Sequence, residues 1–260
     1  MNNTKFIYFI NTAILIIEKN VRANSHHHHA IQITIRVKPE SHIFFNAKRV
    51  EENTIIFNAD KIHSLDSNLN WVIILLINPE SELGNHIRSK YLMKNDDCIR
   101  NIRYSSHLLN HFYEIITTPK SKSEVLHIYD EIINSVCGSP SESFRLDDRI
   151  RRVFNEIKKL EEKTIPARDL ASLVYLSESR FMHLFKEEVK IPVRQYLSWL
   201  RLLDALRMII NGESFTKAAL YSGFTDLPHL HKTFTHYFGV KITDYFKNSR
   251  FIQVFDFSGE

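Results

Sequence analysis

The chain has 260 residues, and its plainest chemistry sits in four consecutive histidines, His26–His29, with a further one at His63. Neutral imidazole is a ligand for zinc, iron and related ions, and about three protein ligands are needed to hold one. On a strand, successive side chains face opposite ways, so His27 and His29 share one face while His26 and His28 share the other. With Gln32 and the later His63, the run approximates a metal site. It equally suits a small-molecule pocket or a solvated strand end. The expected effector- or metal-binding set is His27, His29 and His63, lining the interior or mouth of a β domain. No cofactor is required, and a metal at the histidines is one alternative. No nucleophile–base pair, phosphate-binding glycine loop or paired catalytic carboxylate is visible, so no enzyme is expected.

A second set of residues could read nucleic acid. Ser179 and His183 point away from an apolar face made by Phe181, Leu184 and Phe185, with Arg180 and Met182 on the flanks. Pro228 and Lys232 lie opposite Leu230, with His229 and His231 beside them. Hydroxyl, imidazole and ammonium groups can meet base edges or phosphates. The expected DNA-contacting residues are therefore Ser179, Arg180, Met182, His183, Pro228, His229, His231 and Lys232.

The elements that must carry these faces repeat. Ala171 falls on Ala219 at an offset of 48, aligning Tyr175–Glu178 with Gly223–Asp226. One extra residue then enters the second copy, and Phe185 falls on Phe234, Lys190 on Gly239 and Tyr196 on Tyr245. Each copy reads as helix, tight turn, helix, over 167–187 and 215–238. Ser177 and Thr225 are the candidate N-caps, and Gly223 suits a turn at positive φ. Between the copies, Val193–Ile210 reads as one helix of about 27 Å. Such a helix could hold two recognition helices about one DNA turn apart. Arg201 is expected to be structural, pairing with Asp204 or Glu213.

The second copy resembles the signature of the AraC/XylS family of bacterial transcription regulators, through Ala219, Gly223, Phe224, Phe234, Phe238 and Gly239. The first copy resembles that family's first helix-turn-helix through Ala171, Leu176, Ser177, Phe185 and Arg201. The resemblance spans about 100 residues, from near Asp147 to Lys247. Lys190 stands where the family usually has Gly, and Ile242 where it usually has Pro. Many such regulators carry an amino-terminal cupin-like barrel that senses a small molecule. The segments around His26–Gln32, Asn58–Asp66 and Leu75–Gly84 resemble one, although the usual cupin set has a Glu shortly after its second His and Ala30–Ile35 supplies none.

Phe6–Phe9, Ile14–Ile17, Ile31–Val37, Thr54–Phe57 and Val72–Ile77 read as strands. Ile99–Thr117 and Ser123–Val136 have helical spacing, and pair subunits or cover the barrel. The expected organisation is a β sensor domain (1–98), a helical pair (99–136), a linker (137–146) and a DNA-binding domain (147–250) that folds by itself. The fold class is α+β: a cupin-like barrel with a helical extension, then an all-α domain with two helix-turn-helix motifs joined by a long helix.

Composition agrees. The chain is 43% hydrophobic with a net charge of +4, which supports packed cores. In 147–250, 18 Lys+Arg stand against 13 Asp+Glu, or 18 − 13 = +5, which suits a polyanion. Two cysteines give no disulfide framework, and the Phe6–Ile17 run is too short to span a bilayer. The expected partners are double-stranded DNA, an unknown small-molecule effector, RNA polymerase for an activator, and a second copy if the helical pair dimerises, with no membrane. The expected setting is cytoplasmic, on the nucleoid. The rival is a cupin metalloenzyme or ligand-binding protein whose helical part serves only protein contacts.

Overall fold

The computed structural model describes residues 3–10, 12–37, 43–46, 48–50, 52–92, 98–100, 121–137, 146–160, 163–247 and 249–256. Packing divides the chain into two units. One joins Met1–Ser143 to Thr235–Glu260, and the other is Phe144–Phe234. The tail thus groups with the β unit, whereas the sequence reading carried the DNA-binding domain through to residue 250. Ile99 and Arg100, expected to open a helix, lie instead in a strand, Cys98–Arg100, paired to Ile55–Phe57; residues 101–120 of the expected helical pair and 138–145 of the expected linker lie outside the described residues.

The first unit is built on two sheets. Strands β1 (Asn3–Ile10), β2 (Ala13–Lys19), β3 (Arg22–His26), β4 (Ile31–Arg36), β5 (Ile43–Phe45), β6 (Lys48–Val50), β7 (Thr54–Phe57), β8 (His63–Asp66), β9 (Trp71–Ile77), β10 (Cys98–Arg100) and β11 (Ser249–Asp256) appear in chain order. The larger sheet runs β10-β7-β4-β9-β2-β1-β11, and the smaller runs β3-β8-β5-β6. All five sequence-predicted strand runs are strands. The β-branched residues of β4 and β9 are buried on both faces, as expected for central strands. The apolar tail, for which the sequence offered no role, is β11, laid parallel to β1. That pairing is why the tail belongs to this unit. Among the helices, α1 is Glu82–Ile87 and α2 is Lys122–Cys137. Val125, Ile128, Ile132 and Val136 form one stripe of α2 and join the sheet core with Leu15, Ile33 and Leu75.

Two charged clusters are buried in this unit. Lys5 and Glu18 face each other across β1 and β2, with Nζ 2.7 Å from Oε1. His29 sits between two carboxylates. Its Nδ1 is 2.9 Å from Asp60, and its Nε2 makes a short hydrogen bond to Glu80. Burial disfavours the imidazolium, but Glu80 and Asp60 outweigh it and raise its pKa to about 9. The Arg88 guanidinium faces the same two carboxylates.

The second unit is helical: α3 (Asp148–Lys159), α4 (Ala167–Ser172), α5 (Glu178–Val189), α6 (Val193–Ile210) and α7 (Phe215–Tyr221), with α8 (Leu227–Phe238) beginning inside it. The last helix, α9 (Ile242–Lys247), lies in the first unit. Ile150, Val153 and Ile157 of α3 are fully or almost fully buried and pack with Leu170, Phe181, Phe185 and Tyr196. Phe154 meets Phe185 edge-on at 5.9 Å. Among the described residues no helix is long and apolar enough to cross a membrane.

The His29 cluster generates a pH prediction. Its folded pKa is raised above the ordinary 6.5, so its contribution is complete below that value and is lost as pH rises through about 9. Unfolding free energy, measured by denaturant titration, falls between pH 6.5 and 9.5 by on the order of 3 kcal/mol. In Glu80→Gln that slope flattens, because the main group holding the proton is gone.

Candidate nucleic-acid interface

The two helix-turn-helix copies close with the same backbone device. Leu176 N donates to Ala171 O at 3.1 Å, and Phe224 N donates to Ala219 O at 3.0 Å. The preceding residue takes positive φ in both, 57° at Tyr175 and 77° at Gly223. Ala171 and Ala219 are buried, 1% and 0% exposed, so a larger side chain there would push the paired helices apart. The copies differ at the cap. Ser177 caps α5 by accepting from Arg180 N, but in the second copy the acceptor from His229 N is Asp226 Oδ1, at 2.7 Å. Thr225, the N-cap expected from sequence, is therefore the inserted residue, and Asp226 takes the cap.

Both recognition helices also end alike. Lys190 and Gly239 take φ of 72° and 67°, each donating its N–H to the carbonyl four residues back. Lys190 thus adopts the left-handed conformation that a Gly would adopt without steric cost. Ile242 is the first residue of α9, the position where Pro is tolerated.

Inward, Phe181 and Phe185 of α5, and Leu230 and Phe234 of α8, are at most 1% exposed. Outward, Ser179, Arg180, Met182 and His183 are all exposed. Ser179, Arg180 and His183, with Arg149 and Glu187, border a shallow groove beside α5. On α8, Pro228 and Lys232 are exposed. His229 is half-buried, its ring edge-on to Phe224 at 5.2 Å and its Nδ1 3.1 Å from Thr225 Oγ1. His231 is half-buried too and turns edge-on to Phe215 of α7 at 6.2 Å.

Arg201, expected to pair with Asp204 or Glu213, reaches the second turn. Its Nη1 donates to Gly223 O at 3.0 Å and its guanidinium lies 5.7 Å from the Phe224 ring. Asp204 pairs with Arg207, and Glu213 with Lys217.

The histidines rearrange relative to the expected set. Strand β3 ends at His26, so the pleat alternation does not continue through His29. The structure gathers His63 with His26 and His28, all buried, and not with His27 or His29. His29 is held by Asp60 and Glu80, and half-buried His27 meets His236 edge-on at 4.6 Å. Burial holds His26, His28 and His63 below the ordinary imidazole range, His63 at about 4.

A cavity of about 220 Å³ lies within the first unit. Its wall is mostly apolar, from Ile16, Val21, Ile74, Leu76, Phe238 and Val240, with His26, His28 and Gln32 also lining it. The Lys5–Glu18 pair reaches it, and Lys5 Nζ also sits 3.0 Å from the Tyr245 ring centroid. Burial lowers Lys5 to about 8 against the pull of Glu18, and burial raises Glu18 and Tyr245. Lys5 and Glu18 escaped the sequence reading. The available signal was a charged residue bordering each of two apolar runs.

Comparison with known proteins places these observations. Residues 170–248 match the family described as a helix-turn-helix domain. An uncharacterized response regulatory protein of Staphylococcus epidermidis is 23% identical over 157 residues, covering 54% of this chain and 62% of its own length. An apo structure of ToxT from Vibrio cholerae aligns over 92% of this chain and 98% of that one, with a TM-score of 0.60 at 13% identity. Unsaturated fatty acid-bound ToxT from the same species aligns over 94% and 93%, with a TM-score of 0.56 at 13% identity. These two likenesses show the fold.

The turn geometry yields a paired prediction. Gly223 and Gly212 both have positive φ, at 77° and 93°. A Cβ on Gly223 would stand 2.5 Å from the Thr164 methyl and 3.2 Å from Arg201 Cδ, whereas one on Gly212 meets nothing within 4 Å. Gly212→Ala should cost about 1 kcal/mol from backbone strain alone. Gly223→Ala should cost roughly 1–3 kcal/mol more, from overpacking. Denaturant unfolding of the two variants checks the difference.

Proposed function

We propose, from the premise that residues 170–248 are an AraC-type helix-turn-helix domain, that this chain is a sequence-specific DNA-binding transcription regulator controlled by a small molecule. The observation that carries it is the duplicated turn, with the same hydrogen bond and the same positive φ in both copies, presenting an exposed polar face on each recognition helix. Two unrelated solvated helices have no reason to share that frame. Ser179, Arg180, Met182 and His183 would read one major-groove segment, and Pro228, His229 and Lys232 the next. His231, turned toward Phe215, would serve more to set the helix than to reach a base.

The effector reading rests on the cavity. An apolar wall with one buried ammonium–carboxylate pair suits a small amphipathic molecule with a polar end. Fatty acid-bound ToxT, which shares the fold, supports that class. Phe238, Val240 and Tyr245 line the cavity, so a ligand would act on the segment that directly follows the second recognition helix. To shift activity, it must bind two states of the protein with different affinity. The same reading places the protein in the cytoplasm on the nucleoid. It also includes contact with RNA polymerase at activated promoters, and pairing of two copies through the segment 99–136, whose described helix is α2.

Selection of bound sequences from random DNA, followed by footprinting, tests this. The two copies should protect half-sites about 10 base pairs apart on one face of the duplex. His183→Ala and His229→Ala should each cost about 1–3 kcal/mol on the preferred site and relax one base position. Lys232→Ala should weaken all sequences alike and reduce the salt slope by about one if the ammonium meets a phosphate. Changes in both copies that perturb the same base pairs, or none, would overturn the docking.

A further inference from the structure

His26 at the end of β3 and His63 at the start of β8 are ladder partners, and His28 follows in the turn after β3. Ring centroids are 4.3 Å apart for His26–His63, 5.1 Å for His28–His63 and 5.7 Å for His26–His28. One ligand atom from each lies within 4.8 Å of the others. Two of the rings are already oriented. His26 Nδ1 lies 2.6 Å from the Asn24 carbonyl oxygen, and His63 Nδ1 lies 2.8 Å from that of Lys61. A ring that donates from Nδ1 presents a lone pair at Nε2. Backbone carbonyls in this role orient metal-bound imidazoles. Gln32 brings its side-chain oxygen to the same point, 3.0 Å from His28 Nε2 and 3.3 Å from His63 Nε2, while its amide nitrogen donates to Thr34 at 2.9 Å. A cation here would be shared by His63 Nε2, His28 Nε2 and the Gln32 oxygen.

We propose that His26, His28 and His63, with the Gln32 oxygen as fourth donor, bind a divalent ion of the zinc class. Three imidazoles and one amide oxygen carry no charge, a donor set that favours zinc, cobalt or nickel over magnesium or calcium. Zinc–nitrogen bonds of about 2.0–2.1 Å put tetrahedral donors roughly 3.3 Å apart. One ring nitrogen of each histidine already lies within 4.8 Å of the others. His29, although adjacent in sequence, is engaged at both ring nitrogens by Asp60 and Glu80 and is no part of the set. His26, His28 and Gln32 also line the cavity, so a polar group on a ligand there could approach the ion. The site does not depend on the DNA reading.

The experiment uses the full chain without an affinity tag, stripped with a chelator and titrated with cobalt(II) and then zinc(II), with magnesium(II) as control. The expected result is one ion per chain by elemental analysis. Cobalt should give visible ligand-field bands of a nitrogen-ligated, low-coordination site, which zinc then displaces. His28→Ala and His63→Ala should each weaken binding by 100-fold or more, while His27→Ala leaves it within about threefold; such losses are at least those seen on removing outer-shell partners alone. Gln32→Glu, which adds a charged donor, should tighten binding tenfold or more. If the histidine variants fail to fold, the wild-type cobalt spectrum together with His27→Ala and Gln32→Glu still decides. No uptake by the wild-type chain, uptake lost with His27→Ala, or uptake indifferent to His28 and His63 overturns the site. A folded Gln32→Glu that binds no tighter removes Gln32 from it.

Discussion

Everything the carboxyl-terminal part presents outward depends on reversing the chain within a few residues while two short helices stay in contact. Neither α4, at 6 residues, nor α7, at 7, is long enough to be stable in water by itself. Each is held by its neighbour, and the neighbours can approach only because Ala171 and Ala219 are small and the next turn enters the left-handed region. In the second copy glycine meets that demand. In the first, Tyr175 meets it at a steric cost, with its ring 90% exposed. Arg201 then reaches from the long helix α6 to the carbonyl of Gly223, so the helix joining the copies also fastens the second turn.

The β unit solves a different problem. Among its described residues it buries the Lys5–Glu18 pair and the His29 cluster in a largely apolar core. Lys5 and Glu18 are 1% and 4% exposed, and a buried pair of this kind returns little net stability against its desolvation. It stands at the wall of the cavity, already desolvated. The His29 cluster lies away from that wall and joins the turn after β3 to Asp60 and Glu80. It positions the loop that carries His28.

The strand β11 links these themes. Paired in parallel with β1, it draws the residues after Phe234 into the β unit. Tyr245 can therefore lie over Lys5, and Phe238 can line the cavity. The helix α8 starts among the helix-turn-helix residues and ends among those of the sheet unit.

The periodic features were legible in the sequence. The duplication, the apolar faces of α5 and α8, the five central strands and the positive φ at Gly223 all follow from local rules. Each depends only on side-chain spacing or on the one residue type that tolerates a given backbone. The cap shift from Thr225 to Asp226, the partner of Arg201 and the membership of the histidine cluster did not. Four adjacent histidines look equivalent along a chain, and alternation predicts their faces only while the strand lasts. Strand β3 stops at His26, and the turn beyond it sends His28 back beside His26 and His63 while His29 goes to two carboxylates. Likewise, residues 5, 18 and 245 are brought together by sheet order, which no local pattern encodes. The sequence by itself determined which segments are helix or strand and which faces are apolar, because those depend on neighbours in the chain. Only the tertiary structure decided which polar groups share a buried site, because that depends on which distant strands pair.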